Sequence, residues 1–242
     1  MNHKRFTLVF ILLLVTLIVS ACGFRTVRGS GTLITESRNV SNFDHVELSG
    51  SGNVIVTQGE AESLTVETDD NIMQYINTGV RDGTLYMGFD EQISSVSFTQ
   101  LTFTLTVKEL VDVTTSGSWD VTVASLDTNR LDVNVDGSGD VTIDALTTEI
   151  VGVRIDGSSK VDVAGGTTRQ DIIIDGSGEY RAGDLYSETA DIIISGSGEA
   201  TVWVTESLAV DASGSSNISY YGSPSVSSSI TGSGQVERLG DK

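Results

Sequence analysis

The stretch LDVNVDGSGDVTIDAL, residues 131–146, contains the pattern that decides the fold. Apolar and polar residues alternate on both sides of a central Gly-Ser-Gly at 137–139. Alternation with a period of two, rich in Val and Ile, is typical of a strand with one buried face. Glycine adopts a positive φ without steric penalty, and Asp and Ser can bond to the backbone of a turn. The stretch therefore predicts a strand, a sharp corner and a second strand.

The same phrase, or a close variant, returns along the chain at a regular spacing. Its first glycine is Gly50, Gly117, Gly137, Gly157, Gly176, Gly196, Gly214 and Gly232. From the second copy onward, consecutive copies are 18–20 residues apart. A rung of that length cannot bury its own apolar face, but stacking rungs about 4.8 Å apart pairs their backbones and builds one continuous core. We expect an all-β fold, a parallel β-helix or close β-solenoid relative with Gly-Ser-Gly corners.

The predicted corners consist of small residues at equivalent positions. In the regular part of the chain these are Gly137, Ser138, Gly139, Gly157, Ser158, Gly176, Ser177, Gly178, Gly196, Ser197 and Gly198. The serine column permits a hydroxyl ladder for sugars, but small hydroxyls that simply fit a crowded corner are the interpretation we prefer. Trp119 replaces the second glycine of its corner, and we expect its ring at the surface or against a cap.

The first residues predict export and lipid attachment. Two basic residues precede an apolar run, residues 6–19, that is too short to span a bilayer. The stretch VSAC (19–22) resembles a lipoprotein lipobox, in which Cys22 becomes the lipid-modified first residue of the mature chain. An ordinary signal peptide with a chance cysteine is the alternative. We expect residues 1–21 to be a lipoprotein signal peptide, and the exported protein to be held in the cell envelope, at the outer membrane or cell surface.

The composition is acidic, with few aromatic residues. Without residues 1–21 the chain has 12 Lys and Arg against 33 Asp and Glu, a formal charge of −21. Such a surface repels nucleic acid and keeps a repetitive β-structure soluble, so we expect no nucleic-acid partner. A single cysteine allows no intramolecular disulfide, so the stacking of rungs must hold the fold.

The chain is expected to divide into three parts after the signal peptide. Residues 22–39 are interpreted as a tether that leads into a first edge strand, residues 40–115 as an N-terminal β part, and residues 116–242 as the solenoid repeats.

The N-terminal part contains two irregular features. A short helix is expected over Asp70–Ile76, with Asp69 or Asp70 as its cap. Asp82-Gly83 predicts a tight hairpin. We expect this insert, between the first two corners, to cap the solenoid.

The order of these segments carries a family resemblance. The chain resembles the putative auto-transporter adhesin, head GIN domain family of bacterial envelope proteins in FDHVELSGSGNVIVTQG (43–59), LTVETDDNIMQYI (64–76), VRDGTLYMGF (80–89) and the rungs of the VDGSGDVTI type (135–143). The resemblance covers about residues 40–238 and implies one continuous β-helix-like domain in a secreted or lipid-anchored protein. It brings no catalytic motif and no cofactor.

Asp136, Asp156 and Asp175 stand at equivalent places on three successive rungs, so stacking brings their carboxylates about 5 Å apart. Like charges that close repel unless a cation or a donor lies between them. A calcium ion is one interpretation, because GSGDVTID (137–144) faintly resembles a calcium-binding nonapeptide. Capping of each turn by its own Asp is the other, and it is favoured because the tandem nonapeptide is missing.

The sequence offers little for catalysis. His45 is the one histidine after the signal peptide, too few for a triad or a zinc site, and we expect it to be exposed and structural. Six aromatic residues would form a glycan platform if several faced outward: Trp119, Trp203, Tyr180, Tyr186, Tyr220 and Tyr221.

We therefore expect a non-enzymatic, lipid-anchored adhesin or surface-binding protein with a glycan or protein ligand. A structural or stress-related envelope lipoprotein without a dedicated ligand is the alternative, and a polysaccharide-acting β-helix enzyme is a distant third. Outward clustering of Tyr and Trp would favour the first, and a uniform surface of Ser, Thr and Asp the second. A cleft that gathers carboxylates with Arg154 or Lys160 would favour the third.

Overall fold

The fold is a β-solenoid of about six turns in a nearly all-β chain, as the sequence predicts. A computed structural model describes residues 26–90, 93 and 95–242. The strands of the N-terminal part are Thr26–Arg28 (β1), Leu33–Arg38 (β2), His45–Gln58 (β3), Ser63–Asp69 (β4), Ile76–Arg81 (β5), Thr84–Phe89 (β6), Ser95–Ser97 (β7) and Leu101–Val107 (β8). The strands of the repeats are Asp112–Val123 (β9), Leu126–Asp127 (β10), Arg130–Gly137 (β11), Asp140–Gly157 (β12), Lys160–Gly176 (β13), Glu179–Gly196 (β14), Glu199–Gly214 (β15), Asn217–Tyr221 (β16), Ser225–Gly232 (β17) and Gln235–Gly240 (β18).

Alternate residues of every rung point into one continuous core. Val153, Ile172 and Ile192 are in register on consecutive parallel strands, and all three are buried. The residues between them point outward, as the period of two requires. Burial of a Val or Ile side chain contributes roughly 1.5–3 kcal/mol. The stack of rungs therefore supplies the burial that no single rung provides.

Backbone hydrogen bonds join the corners of neighbouring rungs. Gly137 has a φ of 137°, and a Cβ atom there would lie 2.0 Å from the carbonyl oxygen of Gly117 on the preceding rung. That oxygen accepts a hydrogen bond from the backbone N–H of Ser138 at 2.9 Å. The same bond recurs from Ser158, Ser177, Ser197, Ser215 and Ser233. Glycine is needed here for its conformation and because the next backbone passes so close.

The third corner position faces the interior, which places Trp119 differently from one of our expectations. Its ring is fully buried, so placement at the surface is wrong. It packs 5.7 Å, centroid to centroid, from Phe103 of β8, and a Cβ atom at Gly52 would lie 2.7 Å from its Cζ3 atom. The glycine at the same position in the neighbouring rung therefore leaves the space that the indole fills.

The segment between the first two corners closes the N-terminal end of the stack. Strands β6 and β8 both run parallel to β3, one beside each half of it, and form a further layer below the first corner. Strand β4 pairs antiparallel with β8, and β5 pairs antiparallel with β6. Asp82 (φ 52°) and Gly83 (φ 81°) make the turn between β5 and β6.

The helix expected over Asp70–Ile76 is reduced to one 3₁₀ turn, Met73–Tyr75, and the described residues contain no α-helix. The Asp69 carboxylate does not cap this turn. It accepts hydrogen bonds from the backbone N–H groups of Gly31 and Thr99, both at 2.7 Å. Without a cap, and with a strand beginning at Ile76, the segment cannot extend as a helix.

The segment interpreted as a tether contains paired strands. Strand β1 pairs with β7, and β2 pairs antiparallel with β4 at the edge of the sheet. The buried Asp69 carboxylate holds the loop between β1 and β2 against the body of the protein. Residues 1–25, which include the predicted signal peptide and Cys22, lie outside the described residues.

Tyr180, Gln170 and Ser187 form a chain of hydrogen bonds across the interior of the middle rungs, which we call the strut. The Tyr180 hydroxyl donates to the side-chain oxygen of Gln170 at 2.8 Å, and the Gln170 amide donates to Ser187 Oγ at 2.8 Å. Ser187 in turn donates to the carbonyl oxygen of Trp203 at 2.8 Å. Burial raises the pKa of Tyr180 well above its ordinary value, so the phenol remains a neutral donor.

Candidate functional site

Three aromatic side chains form a column on the outer surface, which we call the aromatic ladder: Tyr186, Trp203 and Tyr221. Tyr186 of β14 is in register with Trp203 of β15, which is in register with Tyr221 of β16. The Tyr186 and Trp203 rings are 5.3 Å apart in an edge-to-face arrangement. Tyr186 is 40% exposed, and the other two rings are partly exposed. Three of the six aromatic residues named from the sequence are thus brought together on one face.

The other three aromatic residues do not contribute to this face. Trp119 and Tyr180 are buried, and Tyr220 is partly buried and packs against the core. The difference arises from the alternation of each strand, because neighbouring residues such as Tyr220 and Tyr221 point to opposite sides.

A bulge places two further groups beside the aromatic ladder. Ala182 pairs with Val202, and the next pair is Tyr186 with Trp203, so residues 183–185 form a bulge on β14. A Cβ atom at Gly183 would lie 3.2 Å from Tyr221 Cε2, which shows how closely the ring covers the bulge. Bulges re-aim backbone groups and side chains. Here the bulge presents the Gly183 carbonyl and the Asp184 carboxylate to the edge of the rings.

The ammonium group of Lys242 occupies the space between these groups. Lys242 Nζ donates to the Gly183 carbonyl oxygen at 2.6 Å and forms an ion pair with Asp184. It lies 4.9 Å from the centroid of the Tyr221 ring and 5.9 Å from that of Trp203. Both distances fall within the range of cation–π attraction.

The segment that carries Lys242 is itself anchored. Arg238 Nε donates to the Gly222 carbonyl oxygen at 2.6 Å, and its terminal nitrogen donates to Ser223 Oγ at 2.9 Å and pairs with Asp241. The Gly222 N–H bonds to the Gly240 carbonyl oxygen at 2.9 Å. These contacts turn the chain back over the last rungs toward β14.

A shallow groove of about 400 Å³ continues from the aromatic ladder across the lower-numbered rungs. Carboxylates and hydroxyls line it, among them Asp144, Asp162 and Thr142. Within it, Arg181 forms a two-bond ion pair with Glu179, at 2.5 and 2.8 Å. These hydrogen bonds raise the pKa of the Arg181 guanidinium, which stays charged. The groove therefore presents mainly acceptors, and its two cations, Arg181 and Lys242, are each paired with a carboxylate.

The three aspartates proposed from the sequence do stack. Asp136 is in register with Asp156, and Asp156 with Asp175. Arg154 bridges the last two, with Nε 2.9 Å from Asp156 Oδ2 and a terminal nitrogen 2.5 Å from Asp175 Oδ2. These bonds raise the pKa of Arg154. The positive group between the like charges is thus a guanidinium, and the described residues contain no cluster of three or more metal-ligating side chains.

Other residues singled out from the sequence lie apart from the aromatic ladder. The corner serines expose their hydroxyls at the turn, and their backbones carry the bonds between corners. His45 is exposed, with Nδ1 2.7 Å from Asp44 Oδ1. Lys160 Nζ lies 3.4 Å from Asp162 and 3.7 Å from Asp140 on the open surface, so it is already paired.

Sequence reasoning missed Lys242, Gly183 and Asp184. One signal was available: the rung from Gly176 to Gly196 has 20 residues, and the two that follow have 18. The additional length is where the bulge occurs. The approach of Lys242 leaves no sequence signal, because it joins residues 58 positions apart.

A second surface feature is apolar. Ile173 and Ile193 point outward on adjacent strands, and Ile193 is 48% exposed. An open groove of about 530 Å³ runs beside them. Arg169 flanks it, paired with Asp171 at 2.7 Å and Asp191 at 2.6 Å.

No helix in the described part of the chain has the length and apolar character needed to cross a membrane.

Comparison with known proteins places these features in context. The family described as "Putative auto-transporter adhesin, head GIN domain" matches residues 42–224. No curated protein matches the chain. A putative adhesin from Bacteroides fragilis is 28% identical, with a TM-score of 0.84 over 88% of this chain and 100% of that chain. A putative lipid binding protein from Parabacteroides distasonis is 26% identical, with a TM-score of 0.76 over 89% and 100%. A putative adhesin from Parabacteroides merdae is 23% identical and shares the fold, with a TM-score of 0.68 over 88% and 99%.

Proposed function

The chain belongs to the putative auto-transporter adhesin, head GIN domain family, and from that premise we propose that it is a non-enzymatic surface protein that binds a carbohydrate along the aromatic ladder. The observation that carries this proposal is the register of three partly exposed rings on consecutive rungs. Sugar rings have apolar faces that pack on aromatic side chains, while their hydroxyls need polar partners. The groove beside the aromatic ladder offers such partners in its carboxylates and hydroxyls.

The absence of catalysis is part of the proposal, and it is supported by the family description as adhesins. Arg154 and Lys160, the cations that would mark a catalytic cleft, are paired with carboxylates on open surface and are 44% and 32% exposed. Acid–base chemistry on a polysaccharide benefits from a site that excludes water. An open groove suits reversible binding better than bond cleavage.

Attachment to the cell envelope through Cys22 is a further part of the proposal. It rests on the lipobox-like stretch at 19–22 and on a family described as adhesins. If Cys22 carries a lipid, the full chain partitions into the detergent phase, and Cys22→Ser moves it to the aqueous phase. Equal partitioning of the two forms would contradict lipid attachment and leave the ordinary signal peptide.

The carbohydrate proposal is tested with a soluble form that begins at Gly23 and keeps every described strand. A glycan array, run with calcium and with a chelator, should give saturable binding that survives the chelator. Trp203→Ala should weaken that binding about tenfold or more, because a central aromatic contact commonly carries over 1.4 kcal/mol. The matched control is Tyr86→Ala, an exposed ring (38%) outside the aromatic ladder.

The outcomes separate the alternatives. A blank array in both conditions would reject carbohydrate binding and favour the structural envelope lipoprotein. Shortening of a bound glycan during incubation would instead reject the non-enzymatic claim. Equal losses in the Trp203 and Tyr86 variants would reject the aromatic ladder as the site.

A second candidate function is contact with a lipid, favoured by the outward Ile173 and Ile193 beside their open groove. A relative of 26% identity is described as a putative lipid binding protein. Ile193→Ser should then reduce binding to neutral phospholipid vesicles, whereas Trp203→Ala should not. Absence of vesicle binding by the soluble form would reject this candidate.

A further inference from the structure

The surroundings of the Lys242 ammonium have the composition of a cation-binding site. A backbone carbonyl, a carboxylate and two aromatic faces converge on one nitrogen: Gly183 O, Asp184, Tyr221 and Trp203. An ammonium group has three donors and a positive charge, so it needs acceptors and is attracted by ring faces. Each of these requirements is met at this point of the surface.

The site is built by elements that the solenoid would not otherwise need. The bulge at residues 183–185 departs from the regular register, and it supplies both acceptors. The two rings come from the next two rungs. The occupant comes from residue 242, whose segment is turned back by Arg238 over Gly222. Four separate pieces of chain therefore converge on one cation.

We call the four groups around Lys242 Nζ the cage: Gly183 O, Asp184, Tyr221 and Trp203. We propose that the cage is the ammonium subsite of the aromatic ladder and that its ligand is a glycan bearing free amino groups, a proposal that rests on the carbohydrate function proposed above. Lys242 then competes with this ligand for the cage. The groove that continues from the cage holds about 400 Å³, which is more room than one lysine side chain fills. Its lining includes the hydroxyls of Thr142 and Thr201 and the carboxylates of Asp144, Asp162 and Glu179. A polymer with a repeating amino sugar presents ammonium groups and hydroxyls that can pair with these acceptors.

The charge of the protein is consistent with such a ligand. A formal charge of −21 without residues 1–21 attracts a cationic polymer and raises its rate of association. An N-acetylated sugar has no charge at this position, so its amide N–H can donate a hydrogen bond to Asp184 but gains neither an ion pair nor cation–π attraction. The subsite therefore discriminates between the free and the acetylated amine.

Lys242 is held weakly enough to be displaced. The Asp184 side chain is 80% exposed, and exposed ion pairs contribute little. A competitor that fills the cage nine-tenths of the time reduces apparent affinity for the external ammonium about tenfold. Removal of that competitor should restore the same factor.

The test compares oligomers of glucosamine and of N-acetylglucosamine of equal length, titrated into the soluble form by calorimetry. The wild type should prefer the glucosamine oligomer. Lys242→Ala should bind that oligomer about tenfold more tightly and should improve binding of the acetylated one by a smaller factor, since removal of the lysine also uncovers the rings. Asp184→Asn should reduce the preference. The matched control is Lys108→Ala, which removes the same charge at an exposed lysine (57%) outside the site.

Tryptophan fluorescence gives a second readout that needs no ligand. The chain has two tryptophans, and Trp119 is buried, so quenching by acrylamide reports Trp203. Lys242→Ala should increase quenching, whereas Lys108→Ala should not. Equal quenching of wild type and Lys242→Ala would overturn the role of Lys242 as a cover.

The possible failures are distinguishable. If both oligomers bind equally and Lys242→Ala changes neither, the ammonium subsite is overturned while the carbohydrate function stands. If neither oligomer binds any form and the glycan array is blank, both proposals fall. If a lysine-rich peptide binds Lys242→Ala more tightly than the glucosamine oligomer does, the glycan is the wrong class of ligand.

Discussion

Replacement of Tyr180 by phenylalanine probes the strut that crosses the solenoid interior. The change removes one hydroxyl and leaves the Gln170 side-chain oxygen buried without its 2.8 Å donor. An unsatisfied buried acceptor costs about 1–3 kcal/mol. We therefore expect the free energy of unfolding to fall by about 2 kcal/mol, which corresponds to roughly 4–8 °C in Tm for a chain of this size.

Urea denaturation followed by circular dichroism measures this difference, and a double-mutant cycle sharpens it. Gln170→Met removes the other partner, and the double variant leaves neither a buried phenol nor a buried amide without a partner. The double variant should therefore be less destabilised than the sum of the single variants. The control is Tyr86→Phe, whose hydroxyl lies on an exposed side chain and whose loss should stay within about 0.5 kcal/mol. Additive losses, or equal losses in Tyr180→Phe and the control, would refute the strut.

Three further predictions concern the glycine corner, the hydrogen bonds of the Asp69 carboxylate and the stacked aspartates Asp156 and Asp175. Gly137→Ala should lower the free energy of unfolding by at least about 2 kcal/mol, because it combines a φ of 137° with a 2.0 Å approach to the Gly117 oxygen; Gly166→Ala, with nothing within 4 Å, is the control, and a similar loss in both would contradict the account. The hydrogen bond from the Thr99 backbone lowers the pKa of Asp69, so the stabilisation that the Asp69 carboxylate provides is present above its ordinary pKa near 3.8 and is lost as the pH falls through the lowered value. In urea titrations at several pH values, Asp69→Asn should reduce the loss of stability at acid pH. An unchanged pH dependence would argue against a stabilising role of the Asp69 carboxylate. Arg154→Gln should leave the repulsion between Asp156 and Asp175 unscreened, so the Tm of this variant should rise on addition of calcium. The Tm of the wild type should not respond, because its own guanidinium lies between the two carboxylates. A response of the wild type alone would contradict the role given to Arg154.

The repeat could be predicted from the sequence because each rung contains the same alternation of apolar and polar residues and the same corner glycine. The alternation around Val153 and Ile172 fixes which face is buried, and the glycine at each corner fixes where the chain turns. Local pattern and global stacking agree at every rung, so the solenoid follows from either. The hairpin at Asp82-Gly83 was equally local, since the dipeptide sets its own positive φ values.

The errors came from contacts between segments that are distant in the sequence. Trp119 replaces a corner glycine, which suggested a place at the surface or against a cap; the surface placement is wrong because Gly52 leaves space for the ring, which packs against Phe103. The expected helix failed because Asp69 bonds to Gly31 and Thr99 instead of to the first turn. The aromatic ladder lies between these two cases. Its residues were named from the sequence, and the alternation of each strand decides which of them face outward, but the register of Tyr186 with Trp203 depends on the bulge at residues 183–185.

The bonds between corners also determine how the molecule bears force. Because each Ser N–H bonds to the glycine carbonyl of the rung before it, these bonds point along the axis of the stack. A pull between the N-terminal end and the aromatic ladder acts along these bonds, and because the chain enters each rung at one side, the bonds of a rung interface open in sequence from that side and do not share the load. Rungs beyond Tyr221 lie outside that path and carry no tension, and the weakest interface between β3 and β16 sets the load at which the whole rod yields.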